Sequence, residues 1–168
     1  QRASSATITP KTLTPTVTNS PVTKVYDATT NSPAGFTPTY SFSGFVTGDT
    51  NAALTNTGSI YNSKDVASAT IVTVSGLAIS SITGSNSSVA GDYSLDASSK
   101  TVSATITAKA LTMSGLSVPA SKVYDAATTA VVSGTPALAA AEAAGTGTTA
   151  DGKPYTGDTI LIGGTASG

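Results

Sequence analysis

The side chains of this sequence that could carry chemistry are a few lysines and aspartates, the single glutamate Glu142, six tyrosines and many serine and threonine hydroxyls. There is no His, no Cys and no Trp. A Ser-His-Asp or Cys-His arrangement therefore cannot be assembled, and zinc, haem and iron–sulfur ligation lose their usual donors. Lys and Ser are present, but no spacing orients one toward the other, so no enzyme is expected. Asp49, Asp65, Asp92 and Asp96 offer oxygens for calcium, which takes roughly six to eight of them. No Asp-x-Asp-x-Asp run or Gly-rich nonapeptide accompanies them, and Asp49 after Gly48 and Asp92 after Gly91 read as turn punctuation. Lys24 or Lys64, joined to an Asn or Asp beside a buried acid, would form an intramolecular isopeptide bond. No spacing marks one, and solvated lysine is the reading taken.

The elements that would position these groups follow from composition. In 168 residues, 8 Lys+Arg face 9 Asp+Glu, only 10% of positions are charged, and about a third are Ser or Thr. So few cations argue against nucleic acid, whose binding rests on clustered Lys and Arg. A 39% apolar, near-neutral chain is expected to fold, since disordered chains combine low hydrophobicity with high net charge. Its hydroxyl-rich surface suits strands, because β-branched Thr fits a pleated face while Lys and Glu are scarce. No run approaches the roughly 20 apolar residues of a membrane-spanning helix, so a soluble chain without membrane insertion is expected. The absence of Cys agrees with export through a periplasm.

Self-similarity organises the chain. Ala6-Thr7-Ile8-Thr9-Pro10-Lys11-Thr12-Leu13-Thr14 recurs as Ala104-Thr105-Ile106-Thr107-Ala108-Lys109-Ala110-Leu111-Thr112, and Lys24-Val25-Tyr26-Asp27-Ala28-Thr29-Thr30 as Lys122-Val123-Tyr124-Asp125-Ala126-Ala127-Thr128, both at an offset of 98. Thr47-Gly48-Asp49-Thr50 matches Thr156-Gly157-Asp158-Thr159 at an offset of 109, so the second copy carries about eleven extra residues. The division expected is 1–10 as a linker or the last strand of a preceding repeat, 11–108 as a complete β repeat, and 109–168 as an incomplete second repeat with an insertion near 137–154. Within that insertion, Ala137 to Gly145 reads as a short helix or a lengthened loop.

Inside the complete repeat the period is two. Ala69–Val74, Gly76–Ile82 and Thr101–Thr107 read as strands, separated by turn clusters at Asn31–Gly35, Thr47–Asp49, Asn62–Asp65, Gly84–Ser88 and Ala90–Asp92. Short strands with turns about every ten residues indicate an antiparallel sandwich or a related sheet fold. Pro10, Pro15 and Pro21 place the first segment at an edge or a junction. Its alternating threonines are ordinary for such a strand, and Pro10 breaks any flat hydroxyl array.

Taken in order, Lys24–Thr30, Thr47-Gly48-Asp49, Ser63-Lys64-Asp65-Val66, Val74–Ser80, Ala90-Gly91-Asp92-Tyr93-Ser94-Leu95 and Ala104–Lys109 resemble the YDG-type repeat, found in tandem in very large secreted bacterial exoproteins and adhesins of the filamentous-haemagglutinin kind. Ala28 and Ala126 stand where that family usually has Gly, and Asp92 where an Asn is usual. The resemblance implies an exported, modular all-β stalk at the bacterial cell surface and no catalytic residues. The fold expected is thus all-β, with tandem antiparallel β-sandwich-like repeats, Ig-like or β-grasp-related, in an elongated array. Partners would be neighbouring repeats of the same chain, like chains or surface glycans, with no cofactor beyond the calcium already weighed.

Lys24, Val25, Tyr26 and Asp27, and again Lys122, Val123, Tyr124 and Asp125, are the structural motif. Lys24 to Asp27 reads as a strand ending in an Asx-type turn, with the Tyr26 ring on the core and its hydroxyl on a backbone group; core packing is preferred for both tyrosines over a sugar-stacking platform formed by Tyr26 and Tyr124. The rival reading, an adhesive module, predicts exposed aromatics, and Phe36, Tyr40, Phe42 and Phe45 are the candidate ligand contacts. Tyr40 and Phe42 alternate with Ser on one strand, which favours core packing.

Overall fold

The computed structural model describes residues 5–164. Strands make up nearly all of its regular structure, and the chain divides into two compact units. One comprises Gln1–Lys24 and Thr30–Thr107; the other comprises Val25–Thr29 and Ala108–Gly168.

The first unit holds β1 (Lys11–Val17), β2 (Val22–Val25, whose last residue belongs to the other unit), β3 (Tyr40–Ser43), β4 (Asp49–Thr55), β5 (Gly58–Tyr61), β6 (Ile71–Ser75), β7 (Ala78–Gly84), β8 (Tyr93–Leu95) and β9 (Ser99–Thr107). They form sheets ordered β3-β1-β8, β2-β9-β6-β5 and β4-β7. The period of two is visible in β9, where Val102, Ala104 and Ile106 are buried and the Thr and Ser between them face out. In β6, Val72 and Val74 are fully buried in the same way, directly opposite Val102 and Lys100. A second apolar cluster gathers Leu13, Ala52 and Tyr93, with Phe42, Phe45, Ile79, Ile82 and Leu95 packed against it.

Two expectations need correction. The sheets are not wholly antiparallel, because Lys11-Thr12-Leu13 of β1 pairs parallel with Tyr93-Ser94-Leu95 of β8. Nor is the first segment an edge: β1 is the central strand of its sheet. Pro15 is tolerated there because β8 stops pairing at Leu13, so that at Pro15 the ladder runs to β3 alone, opposite Phe42.

The second unit contains the antiparallel pair β10 (Met113–Ser117) and β11 (Ser133–Leu138). Beyond Leu138 the insertion takes the loop alternative. Among the described residues of 139–154 there is no helix, and a parallel bridge between Glu142 and Tyr155 closes the loop at its base. Ala gains little from a helix of a single turn or two in water. Here Glu142 is drawn instead into an ion pair described below.

Candidate functional site

The lysine–tyrosine–aspartate motif builds the same turn in both copies, but only the first follows a strand: none leads into Tyr124. In the first, β2 ends at Val25, the Asp27 Oδ1 accepts the Thr29 N–H at 2.9 Å, and the Lys24 Nζ donates to the Asn31 carbonyl at 2.8 Å. In the second, the Asp125 Oδ1 accepts the Ala127 N–H at 3.0 Å, and the Lys122 Nζ donates to the Thr129 carbonyl at 2.7 Å. Each lysine thus reaches the carbonyl seven residues on, and each aspartate closes an Asx turn. Lys122 also pairs with the Asp125 carboxylate at 2.8 Å, which holds that acid below the usual carboxylate range, helped by the Ala127 N–H.

The residue after each aspartate has a left-handed backbone, with φ of 62° at Ala28 and 61° at Ala126. Only Gly adopts that region without strain. Ala28→Gly is expected to stabilise the second unit by about 0.5–1 kcal/mol, the relief of strain exceeding the extra chain entropy lost. Ala126→Gly, at the same backbone angle, should give a gain of the same sign and similar size. Loss of stability in either variant would refute strain at that alanine.

What differs between the copies is their surroundings. The Tyr26 hydroxyl donates to the Asp158 Oδ1 at 2.7 Å, and its ring meets Tyr155 edge-on at 5.8 Å between centroids. The Asp27 carbonyl accepts the Gly145 N–H at 2.8 Å. All of these residues lie in the second unit. The tyrosine therefore packs there rather than in the core of 11–108, and its hydroxyl finds a carboxylate rather than a backbone group. Tyr124, by contrast, is 90% exposed and Val123 89%, which departs from the core packing expected of that copy.

The receiving turn is itself a repeated device. In Thr156-Gly157-Asp158, Gly157 has φ 96° and the Asp158 N–H donates to the Tyr155 carbonyl at 3.1 Å. In Thr47-Gly48-Asp49, Gly48 has φ 104° and the Asp49 N–H donates to the Val46 carbonyl at 3.1 Å. The Asp49 Oδ2 takes the Tyr93 hydroxyl at 2.7 Å and the Ser88 hydroxyl at 2.7 Å, while the Tyr93 oxygen accepts the Val46 N–H at 3.0 Å. Each Thr-Gly-Asp turn thus receives a phenol. Asp49 is more than turn punctuation: it is buried, and the Tyr93 hydroxyl bond holds its carboxyl below the usual range against the opposing effect of burial.

Behind Tyr155 sits Lys109, whose side chain is only 2% exposed. Its Nζ lies 2.8 Å from the Glu142 Oε1, 2.9 Å from the Asp151 Oδ1 and 4.1 Å from the centroid of the Tyr155 ring. Burial alone would lower the lysine pKa, but the bonds to Glu142 and Asp151 outweigh it and raise it well above normal. Asp151 is held far below the carboxylate range by the Lys153 N–H first and Lys109 second. The amine stays protonated and the acid ionised, the reverse of the neutral pair that condensation to an amide requires. Of the lysines weighed for such a bond, Lys24 lies 5.2 Å from the Tyr61 ring centroid and Lys64 pairs with exposed Asp65 at 3.0 Å.

A pH dependence follows. Asp151 titrates lower in the folded than in the unfolded chain, so its contribution to the second unit is complete above about pH 5 and is lost as pH falls below about 4. Lys109 titrates higher when folded, so its contribution is complete below about pH 9 and is lost as pH rises past about 10. Asp151→Asn should flatten the acid limb of unfolding midpoints for the second unit, read by hydrogen exchange of 108–164. An acid limb unchanged in that variant would remove Asp151 as its source.

Among the aromatic candidates, Phe45 borders the first of these turns through Tyr93. Phe42 and Phe45 pack in the first unit at 5.7 Å, and Phe45 meets Tyr93 at 5.6 Å. Tyr40 lies 6.2 Å from Phe42, with its hydroxyl oxygen buried, and Phe36 is half-buried in the loop before β3. Asp65 pairs with Lys64, Asp92 accepts the Val89 N–H at 2.8 Å, and Asp96 pairs with Lys100 at 2.7 Å. Among the described residues no three acids converge on a point where a metal could sit, and no helix is long and apolar enough to cross a membrane. Sequence reasoning did not single out Glu142, Asp151, Tyr155 and Asp158 as a site. The available signal was the repeated Thr-Gly-Asp block and the only glutamate, set inside an otherwise alanine-rich insertion.

A β-built protein with a repeated tyrosine–aspartate turn and a buried phenol receptor is the class defined by these features. The YDG domain model matches residues 9–102, more than half of the chain, and the chain belongs to that family. No curated protein and no solved structure matches it.

Proposed function

We propose that this chain is a structural repeat segment of a secreted bacterial cell-surface adhesin, acting as stalk, spacer or filament building unit, and that it is not an enzyme. The observation that carries the reading is the use made of the repeated motif. Lys24–Thr30 and Lys122–Thr129 spend their charged and polar groups on building the same turn, and the first copy's tyrosine is spent on packing. Chemistry repeated for the sake of joining elements is what an array of units requires, because stability in such arrays comes from each unit and its interfaces with neighbours. The finer fold, tandem sandwich-like repeats over 11–108 and 109–168 in an elongated array, belongs to the same proposal. So does the extracellular location. The adhesive alternative at Phe36, Tyr40, Phe42 and Phe45 is disfavoured because the last two rings are turned onto Leu13, Ala52 and Tyr93.

Small-angle scattering with light scattering tests the role. A monomer whose radius of gyration clearly exceeds the roughly 15 Å of a compact chain of this length, unchanged by calcium, is expected. A compact particle, or one that lengthens only with calcium, would overturn the spacer reading.

A further inference from the structure

The second copy of the motif builds the same turn as the first but leaves its tyrosine exposed. We propose that Val123-Tyr124-Asp125 docks on the Thr156-Gly157-Asp158 turn of a second copy of this chain, in the place that Tyr26 holds in each copy, so that chains join head to tail once Tyr26 leaves. The proposal rests on the structural-repeat reading and deepens it by naming the joint.

The argument is an internal comparison. Both copies share the Asx turn, the left-handed alanine and the lysine bond seven residues on, so the turn of the second is already formed as in the first, although no strand leads into it. A preformed element loses little conformational freedom on docking. The first copy displays what covers such an element: a carboxylate 2.7 Å from the phenol, an aromatic ring at 5.8 Å and a backbone N–H on the aspartate carbonyl. Tyr124 offers the same phenol to solvent, the residue being 90% exposed. The chemistry of the occupant is therefore fixed by the sequence itself.

Tyr124 and the receiving turn belong to one unit and are different surfaces. Their pairing across copies is heterologous, and a heterologous contact that does not close propagates. Tyr26 acts as a plug. It belongs to the same chain as its receptor, and an intramolecular effective concentration on the order of millimolar keeps a second chain's Tyr124 out at ordinary concentrations.

Sedimentation equilibrium on the full chain tests this. The wild type should remain at monomer mass up to about 0.1 mM, well below that effective concentration. Tyr26→Ala should raise the weight-average mass at least about twofold by about 1 mM, and Tyr26→Ala/Tyr124→Ala should return it to the wild-type value. Tyr26→Phe, which keeps the ring on Tyr155 and gives up only the bond to Asp158, should show the same Tyr124-dependent association at lower amplitude. It also serves if circular dichroism shows the alanine variant unfolded. Association that survives Tyr124→Ala, or a monomer in both Tyr26 variants, would overturn the proposal. Either result leaves the wild-type scattering test of the spacer role standing by itself.

Discussion

Tyr61→Ala is expected to destabilise the first unit by about 3–5 kcal/mol, the range for truncating a buried aromatic ring. Tyr61 closes β5 and is 2% exposed. Its hydroxyl donates to the Val22 carbonyl at 3.1 Å and lies 3.3 Å from the Thr105 carbonyl, so one phenol ties β5 to β2 and β9 across the sheet. The Lys24 ammonium lies over its ring, and the Tyr61 N–H donates to the Thr30 carbonyl at 2.7 Å. Alanine removes the ring together with the hydroxyl that serves the Val22 carbonyl. Tyr61→Phe separates these effects: the ring stays, and a loss of about 1–2 kcal/mol reports the unmade hydrogen bonds alone. Denaturant unfolding gives the magnitudes, and hydrogen exchange along β6 and β9 shows where the protection is lost. A Tyr61→Ala variant within about 1 kcal/mol of wild type would mean that this ring is not a keystone of the sheet.

How much of this fold is legible in the sequence divides along sequence distance. The period of two over Thr101–Thr107 places Val102, Ala104 and Ile106 inward, because alternation is a property of the strand itself. The turn after Tyr26 is legible for the same reason, since an aspartate bonds to the backbone two residues on. The direction of pairing is not. Whether β1 meets β8 parallel or antiparallel depends on residues some eighty positions apart, and both registers offer the same apolar face. Proline misleads for a related reason: it forbids a hydrogen bond on one side at one residue, and a central strand whose neighbour is short satisfies that condition as well as an edge does.

The site is legible in its parts and illegible in its assembly. Thr-Gly-Asp stands out as a repeated block, but a block reads as a turn until the phenol that enters it is known. In the first unit that phenol comes from Tyr93 and in the second from Tyr26, which is 132 positions from Asp158. No local pattern distinguishes the two. The insertion poses the opposite problem: its alanines speak for a helix, while its few charged residues decide the outcome through Lys109, 33 positions from Glu142. A buried ammonium must be paired, and that requirement outweighs weak helix propensity.

Tyr155→Ala is therefore expected to be the most damaging single change in the second unit, at about 3–5 kcal/mol. The ring is 2% exposed and serves two neighbours, presenting itself to the Lys109 ammonium at 4.1 Å and to the edge-on Tyr26 ring at 5.8 Å. Truncation opens a cavity, exposes the lysine to water and loosens the first motif copy together. Hydrogen exchange should accelerate over 108–164 while the strands β5, β6 and β9 keep their protection. Tyr155→Leu restores apolar volume without the electron-rich ring face, so it should recover part of the loss and leave a remainder that depends on the lysine charge. The dependence can be isolated by pairing each variant with Lys109→Met: if the cation and the ring act on one another, the two substitutions together cost less than their sum. Additive losses would assign the lysine's stability to Glu142 and Asp151 alone and reduce Tyr155 to the cover over them.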